Sequence, residues 1–195
     1  MKKILIIAFA FLATSGFGQT EWKIDKNHSS IRFTTTHMLI SEVVGKFNDF
    51  SGTVVSSNDN FVGSIVDFTA KVASIDTDNE RRDNHLKSDD FFNAEAHPDI
   101  VFKGIIEKEG DKYYLVGTFT MRNTTKQIKF DVKYMGRIQT SRGNKAGFKV
   151  TGVINRFDYG LKWDRTVEAG GLVVGEDITI TCNLELNEVV EEKQD

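Results

Sequence analysis

The sequence predicts an all-β protein, an antiparallel barrel of roughly eight strands with one short helical lid. Three observations carry this expectation. Apolar and polar residues alternate with period two in run after run, which marks strands with one buried and one wet face. The runs are joined by short turns such as Glu109-Gly110-Asp111, Arg122-Asn123-Thr124 and Ser141-Arg142-Gly143-Asn144, and short turns make an antiparallel meander rather than βαβ units. Only one segment reads as a helix, too small to cover the apolar face of such a sheet, so the sheet must curl onto itself.

The first 18 residues stand apart. Lys2 and Lys3 precede an apolar run over residues 4–13, and Gly16-Phe17-Gly18 supplies small residues where a signal peptidase cuts. This pattern is a secretory signal peptide, and the run is shorter than the ~20 residues of a spanning helix. Residues 19–195 then form a single domain containing one proline, Pro98, and no low-complexity linker or repeat. The expected location is periplasmic or secreted. No other apolar run is long enough to span a membrane. Cys182 is the chain's one cysteine, so no internal disulfide can form and packing alone must hold the fold. The chain carries 25 basic and 28 acidic side chains, and losing Lys2 and Lys3 makes the balance more acidic still. That disfavours a nucleic-acid partner, whose phosphates are met mainly by basic side chains.

Taken in chain order, "SIRFTTTHM" places Ile31, Phe33, Thr35 and His37 on one face. The segment 43–55 breaks its alternation around residues 47–50, which predicts a bulge. Residues 61–76 read as one strand with Val66, Phe68, Ala70 and Val72 inward, long against the usual ~5–6 residues, and a tall barrel follows. "PDIVFKGIIE" contributes Ile100, Phe102 and Ile106. In the next run two faces compete, Leu115, Phe119 and Met121 against Tyr114 and Val116, and Val116 is assigned to the lumen. Ile128, Phe130, Val132 and Tyr134 share one face, as do Phe148, Val150 and Ile154, and as do Ile178, Ile180, Cys182, Leu184 and Leu186.

The helix lies in "TDNERRDNHLKSDDFFNAEAHPDIVF". Thr77-Asp78-Asn79-Glu80 fits a capping box, and Leu86 is the only large apolar residue of the helix that follows. So polar a helix cannot be a core helix. It predicts a lid across a barrel mouth, with Leu86, Phe91 and Phe92 dipping inward.

The same stretch holds His85 and His97 among Asp83, Asp89, Asp90, Glu95 and Asp99. A metal site is not expected, because zinc ligands commonly appear as His at i and i+4 or as paired Cys, and here the histidines are twelve apart. Cys182 sits on an apolar strand face, where a thiol is a small inert hydrophobe. There is no G-x-S-x-G elbow, so no catalytic residue is assigned. Two other readings remain to be tested: a metal-dependent hydrolase using His85, Asp89, Asp90 and His97, and a structural or stress module whose cavity is incidental.

Twelve phenylalanines remain once Phe9, Phe11 and Phe17 are set aside, and most fall on inward faces. Ala70, Ser74, Gly104, Gly117, Gly136 and Gly152 share those faces and would leave free volume. A cavity is therefore expected in preference to a filled core.

Five ordered blocks resemble the YceI-like family. They are "WKIDKNHSSIRFTTTHMLISEVVGKFNDFSGTV", "SIDTDNERRDNHLKSDDFFNAEAHPDIVFKG", "GTFTMRNTTKQIKFDV", "GFKVTGVINRFDYGL" and "VGEDITITCNLEL". Arg82-Asp83-x-His85-Leu86, Asp90-Phe91-Phe92 and His97-Pro98-x-Ile100-x-Phe102 are the most specific. Asn123 and Gln127 depart from a turn glycine and a proline frequent there, while Asn155-Arg156-Phe157-Asp158 keeps the basic–acidic pair. The resemblance implies an extended, eight-stranded, lipocalin-like barrel with a helical lid, enclosing a polyisoprenoid or quinone-like lipid. It also implies a periplasmic setting, a homodimer as an available assembly, and no cofactor besides the bound lipid.

The expected lumen residues are Phe33, Phe68, Val72, Ile100, Phe102, Val116, Phe130, Val132, Tyr134, Phe148 and Ile180. The lid residues are Leu86, Phe91 and Phe92. His37, which continues an inward face, and Arg82, at the donor-rich start of the helix, are the candidates to meet a ligand's polar head.

Overall fold

The computed structural model describes residues 18–166 and 172–190. All of the expected signal peptide except Gly18 lies outside them. The strands are β1 (Thr20–Ile24), β2 (Ser30–His37), β3 (Ser41–Phe47), β4 (Phe50–Ser56), β5 (Ile65–Lys71), β6 (Ile75–Asp76), β7 (Asp99–Glu109), β8 (Lys112–Met121), β9 (Thr124–Thr140), β10 (Gly143–Asn155) and β11 (Asp177–Glu188); the helix α1 is Glu80–Lys87. Eight strands close a ring in the order β1-β4-β5-β7-β8-β9-β10-β11, sealed by antiparallel pairing of β11 with β1. The predicted eight-stranded antiparallel barrel with a single short helix is the observed fold.

The remaining three strands extend one wall beyond the ring. The first half of β11 pairs with β2, β2 with β3, and β3 with β6. Three long strands are thus each bent: β1 into β2 at the 3-10 turn Lys26–His28, β3 into β4 at residues 48–49, and β5 into β6 at the 3-10 turn Val72–Ser74. The last two bends are stitched together. Asn48 N donates to Ser74 O at 3.1 Å, Lys71 N to Asp49 O at 2.8 Å, and Ser74 Oγ to Lys71 O at 2.7 Å.

This corrects two expectations. The irregularity at residues 47–50 is a corner between two walls, not a bulge. Residues 61–76 are not one strand, because they begin in a loop and turn a corner after Lys71. The barrel's height comes instead from β9 and β10, with 17 and 13 residues. A true bulge does occur, on β9. Gly136 pairs with Gly147 but Tyr134 with Phe148, which leaves Met135 as the extra residue.

Glycine has a different role from the one the composition suggests. Gly104 and Gly117 face each other across β7 and β8, and a Cβ on Gly104 would collide with the carbonyl oxygen of Val116. A Cβ on Gly152 would enter the ring of Phe130. The expected free volume at these three glycines is therefore already filled, by close backbone approach at one pair and by an aromatic ring at the third. Gly104→Ala is expected to cost ~1–3 kcal/mol as an overpacked site, read as a lower urea midpoint at unchanged slope. An unchanged midpoint would contradict the close approach.

One barrel end is plugged by aromatics. Phe61 is fully buried, 5.1 Å from Trp22 and 5.0 Å from Phe148 between ring centroids. Tyr134 stacks on Phe148 at 5.0 Å, and its hydroxyl donates to Asp59 O at 3.2 Å. The other end carries α1. Its cap is Asn79, whose Oδ1 accepts from Arg82 N at 3.0 Å. The expected capping residue, Thr77, is otherwise engaged: its N and Oγ1 both donate to Asp83 Oδ1, at 2.9 and 2.5 Å. The cap falls to Asn79 for that reason.

Candidate ligand-binding lumen

Between plug and lid runs a cavity lined by alternate residues of the barrel wall. Inward parity on β11 brings Ile178, Ile180, Cys182, Leu184 and Leu186 to it in succession. Eight residue steps at ~3.3 Å make ~26 Å along the strand, or roughly 20 Å of height for strands tilted ~40°. The lumen as it stands is a narrow slot with a free volume of about 170 Å³.

The lumen is empty space and not an imperfectly sealed core. Phe33, Phe68, Leu115, Ile178, Ile180, Cys182 and Leu184 all border it, yet each keeps partial accessibility. The Cys182 thiol shows the same duality. Burial alone pushes its pKa up to about 12, while its side chain remains half-accessible toward the cavity. Such a thiol is protonated and inert.

Of the expected lumen set, Phe33, Phe68, Ile100, Phe102, Phe130, Val132, Phe148 and Ile180 border the cavity, as do the lid residues Leu86, Phe91 and Phe92. Three do not. Val116 pairs with Ile105 on one side and Lys129 on the other, on the outer wall, and Leu115, Phe119 and Met121 take the inside. Val72 is buried in the 3-10 turn after β5, its N donating to Pro98 O at 2.9 Å. There the strand's period-two parity has lapsed. Tyr134 belongs to the plug.

The lid is fixed by polar contacts that face away from the lumen. Arg82 donates from Nε to Thr77 Oγ1 at 2.7 Å and from Nη2 to Thr77 O at 2.6 Å, which ties the helix start to the segment before it. Arg122, in a left-handed turn conformation, donates from Nη1 to Phe91 O at 2.7 Å and to Gly160 O at 2.8 Å, clasping the lid segment to the opposite rim. His85 pairs with Asp90 at 2.9 Å and meets Phe91 and Trp163 edge-on. His37 is half-buried at the rim, where it bridges to Val174. Neither His37 nor Arg82 borders the cavity.

Among the described residues, the four groups of the hydrolase reading do not converge to metal-binding distance. The one such convergence is Asp25, His28 and Glu185. The Lys145 ammonium already lies there, 2.5 Å from Glu185 and 3.6 Å from Asp25. The His28 ring above all, helped by Asn187 and Asn27 against the opposing effect of burial, holds the Asp25 carboxyl well below the usual carboxylate range. This is a saturated ion network on the outer surface.

One charged side chain at the lumen was not expected there. Arg156 is 1% exposed and borders the cavity. It donates to four backbone carbonyls: Gly175 at 2.9 Å from Nε, Leu161 at 2.5 Å and Trp163 at 2.9 Å from Nη1, and Val174 at 3.1 Å from Nη2. Its guanidinium lies 4.2 Å from the Phe157 ring centroid. Burial pushes its pKa down, against the opposing fields of Asp164 and Glu176. It opens the 3-10 turn Arg156–Tyr159 that follows β10, where strand parity has lapsed, so period-two patterning carried no signal for it.

A closed antiparallel barrel with an apolar lumen, one plugged end and one lidded end defines a lipocalin-like class of protein. Within it, the chain belongs to the YceI-like domain family, whose model matches residues 22–186. A UPF0312 protein of Pectobacterium atrosepticum is 35% identical over 171 residues, covering 84% of this chain and 89% of that protein. One from Staphylococcus epidermidis is 32% identical over 170 residues, covering 86% and 98%. Among solved structures, the YceI protein of Campylobacter jejuni is 32% identical with a TM-score of 0.67, covering 80% and 90%. A polyisoprenoid binding domain from Saccharophagus degradans superposes with a TM-score of 0.65 over 86% and 98%, at 13% identity, which is a likeness of fold.

Proposed function

We propose that the protein encloses a long-chain amphiphilic lipid, polyisoprenoid or quinone-like, in its barrel for carriage or sequestration, and does so in the periplasm or outside the cell. The observation that carries this reading is the slot itself, apolar along its height and walled by inward side chains of which Phe33, Phe68 and Ile180 among others stay partly accessible. The polyisoprenoid-binding domain that shares the fold supports the ligand class, and the N-terminal Lys2-Lys3 and apolar run support the location. Each methylene moved from water into the slot contributes ~0.8 kcal/mol, so a chain of a dozen carbons leaves a surplus after ordering costs. Binding without catalysis is the better reading of the lid, where His85 pairs with Asp90, Asp83 accepts from Thr77, and Asp89 and Glu95 are exposed.

A series of isoprenoid alcohols of increasing length tests the proposal. Affinity is expected to rise several-fold per added methylene equivalent while the tail is still entering the slot, about fourfold for ~0.8 kcal/mol. It should then level off once the slot is full. Affinity independent of chain length would contradict enclosure and would favour a structural module with an incidental cavity.

A further inference from the structure

We propose that the tip of the β2–β3 hairpin, Met38-Leu39-Ile40, is a membrane contact that seats the lidded end of the barrel on a phospholipid bilayer. This rests on the lipid-enclosing reading and adds where the lipid is taken up and which residues meet its source.

The tip is built against the ordinary preferences of a turn. Ile40 N donates to His37 O at 3.2 Å, closing a turn whose central residues, Met38 and Leu39, are both left-handed, with φ 51° and 67°. Such a turn favours Asn-Gly, and larger side chains there carry backbone strain. Burial does not repay it. Met38 is 46% exposed, Leu39 60% and Ile40 87%. Neither local conformation nor packing within the chain accounts for apolar residues at these positions. Ile65, Met135, Ile138 and Val153 are exposed as well, but each stands alone along its strand, and scattered apolar residues are ordinary. Three in succession at a hairpin tip are not.

The tip also lies beside the lumen. Met38 N donates to Val173 O at 2.8 Å, and His37 bridges to Val174. Val174 borders the cavity, as does Thr35, two residues before His37. Further along the hairpin, Gly45 lies close against Thr77, which holds the lid helix through Arg82. A lipid leaving a bilayer at the tip would therefore meet the lidded end of the slot first.

The size of the patch selects its partner. Three side chains fall far short of the roughly 20–30 residues a side of a stable protein interface. A bilayer needs no matching surface, and it accepts apolar side chains at its headgroup–acyl boundary. Charges on the flanking segments are mixed, with Glu42, Asp164, Lys162 and Arg165 all exposed. Apolar insertion, and not attraction to anionic lipid, would carry the contact, so a neutral bilayer suffices.

The test follows dansyl-labelled geranylgeraniol from phosphatidylcholine vesicles into the protein, with uptake of the water-borne dye N-phenyl-1-naphthylamine as the control for the lumen. Uptake by contact has a rate that rises in proportion to vesicle concentration, whereas transfer through water has a rate independent of it. The first is expected for the wild type. Met38→Asn/Leu39→Gly/Ile40→Thr supplies the residues the turn prefers, so its urea midpoint is expected to hold or rise. Its uptake from vesicles is expected to slow at least about tenfold, with dye binding unchanged. A wild-type rate independent of vesicle concentration, or undiminished uptake in the variant, would overturn the proposal while dye binding keeps the lumen reading, as would entry of the dye without the lipid. A wild-type dimer that becomes a monomer in the variant would assign the tip to a second copy of the chain instead. Failure of both dye and lipid to enter would overturn the lumen reading, and this proposal with it.

Discussion

Phe61→Ala is expected to lower folding stability by ~3–5 kcal/mol, the range for removing a fully buried phenylalanine ring. The ring is 0% exposed and makes edge contacts with Trp22 and Phe148 and a tilted one with Tyr134. It is also held in a left-handed backbone conformation, φ 61°, which is costly for a bulky residue. A segment accepts such strain only when packing over-determines it, and here Ser64 N donates to Phe61 O while Gly63 N donates to Ile106 O, at 3.2 and 2.7 Å. Alanine keeps the backbone strain and loses the ring. Phe61→Leu, which refills part of the space, is expected to cost less than half as much. Urea unfolding checks both, and a loss below ~1 kcal/mol in Phe61→Ala would mean that the plug does not seal the barrel.

The second large effect is on binding. Ile180 stands on the inward face of β11, paired with Phe33 and Gly152 on its two sides. Ile180→Trp would drive an indole into the slot. Filling a close-packed core usually costs ~1–3 kcal/mol, but this wall faces a void, so thermal stability is expected to hold or rise. Displacing three or four methylenes' worth of tail, at ~0.8 kcal/mol each, should weaken lipid binding on the order of a hundredfold. Val116→Trp on the outer wall is the control and should leave affinity unchanged. Equal affinity in wild type and Ile180→Trp would place the ligand elsewhere.

Particular residues show what period-two patterning can and cannot reveal. It worked along β11, where Ile178 to Leu186 alternate cleanly with polar residues on an unbroken strand. It also served for Phe130, Val132, Phe148 and Ile100. On β8 it left two answers, because Tyr114-Leu115-Val116 is apolar in both phases. Sequence alone did not show that Gly117 must sit opposite Gly104, the register that turns Leu115 inward. Val72 was misassigned because parity does not survive a 3-10 corner. Tyr134 was misassigned because height along the barrel is invisible in a pattern: the same face lines the lumen at Val132 and meets the Phe61 loop one pair later.

The lid was legible for a simple reason. Leu86, Phe91 and Phe92 are the only large apolar residues in a polar stretch, and they had to be buried against something. Arg82 and His37 carried suitable chemistry but not position, since hydrogen bonds to Thr77 and the rim bridge to Val174 keep them off the cavity. Arg156 went unforeseen because it opens the 3-10 turn after β10, where period-two patterning carries no information, as at Val72.

Organic extraction of protein purified without detergent, followed by mass spectrometry, tests most directly whether the barrel is a container. One long-chain amphiphile class is expected to co-purify at up to one molecule per chain. It should be depleted in Ile180→Trp and retained in Val116→Trp. An extract free of such lipid, from protein that also fails to take up added isoprenoid alcohol, would contradict the enclosure of a lipid by this barrel.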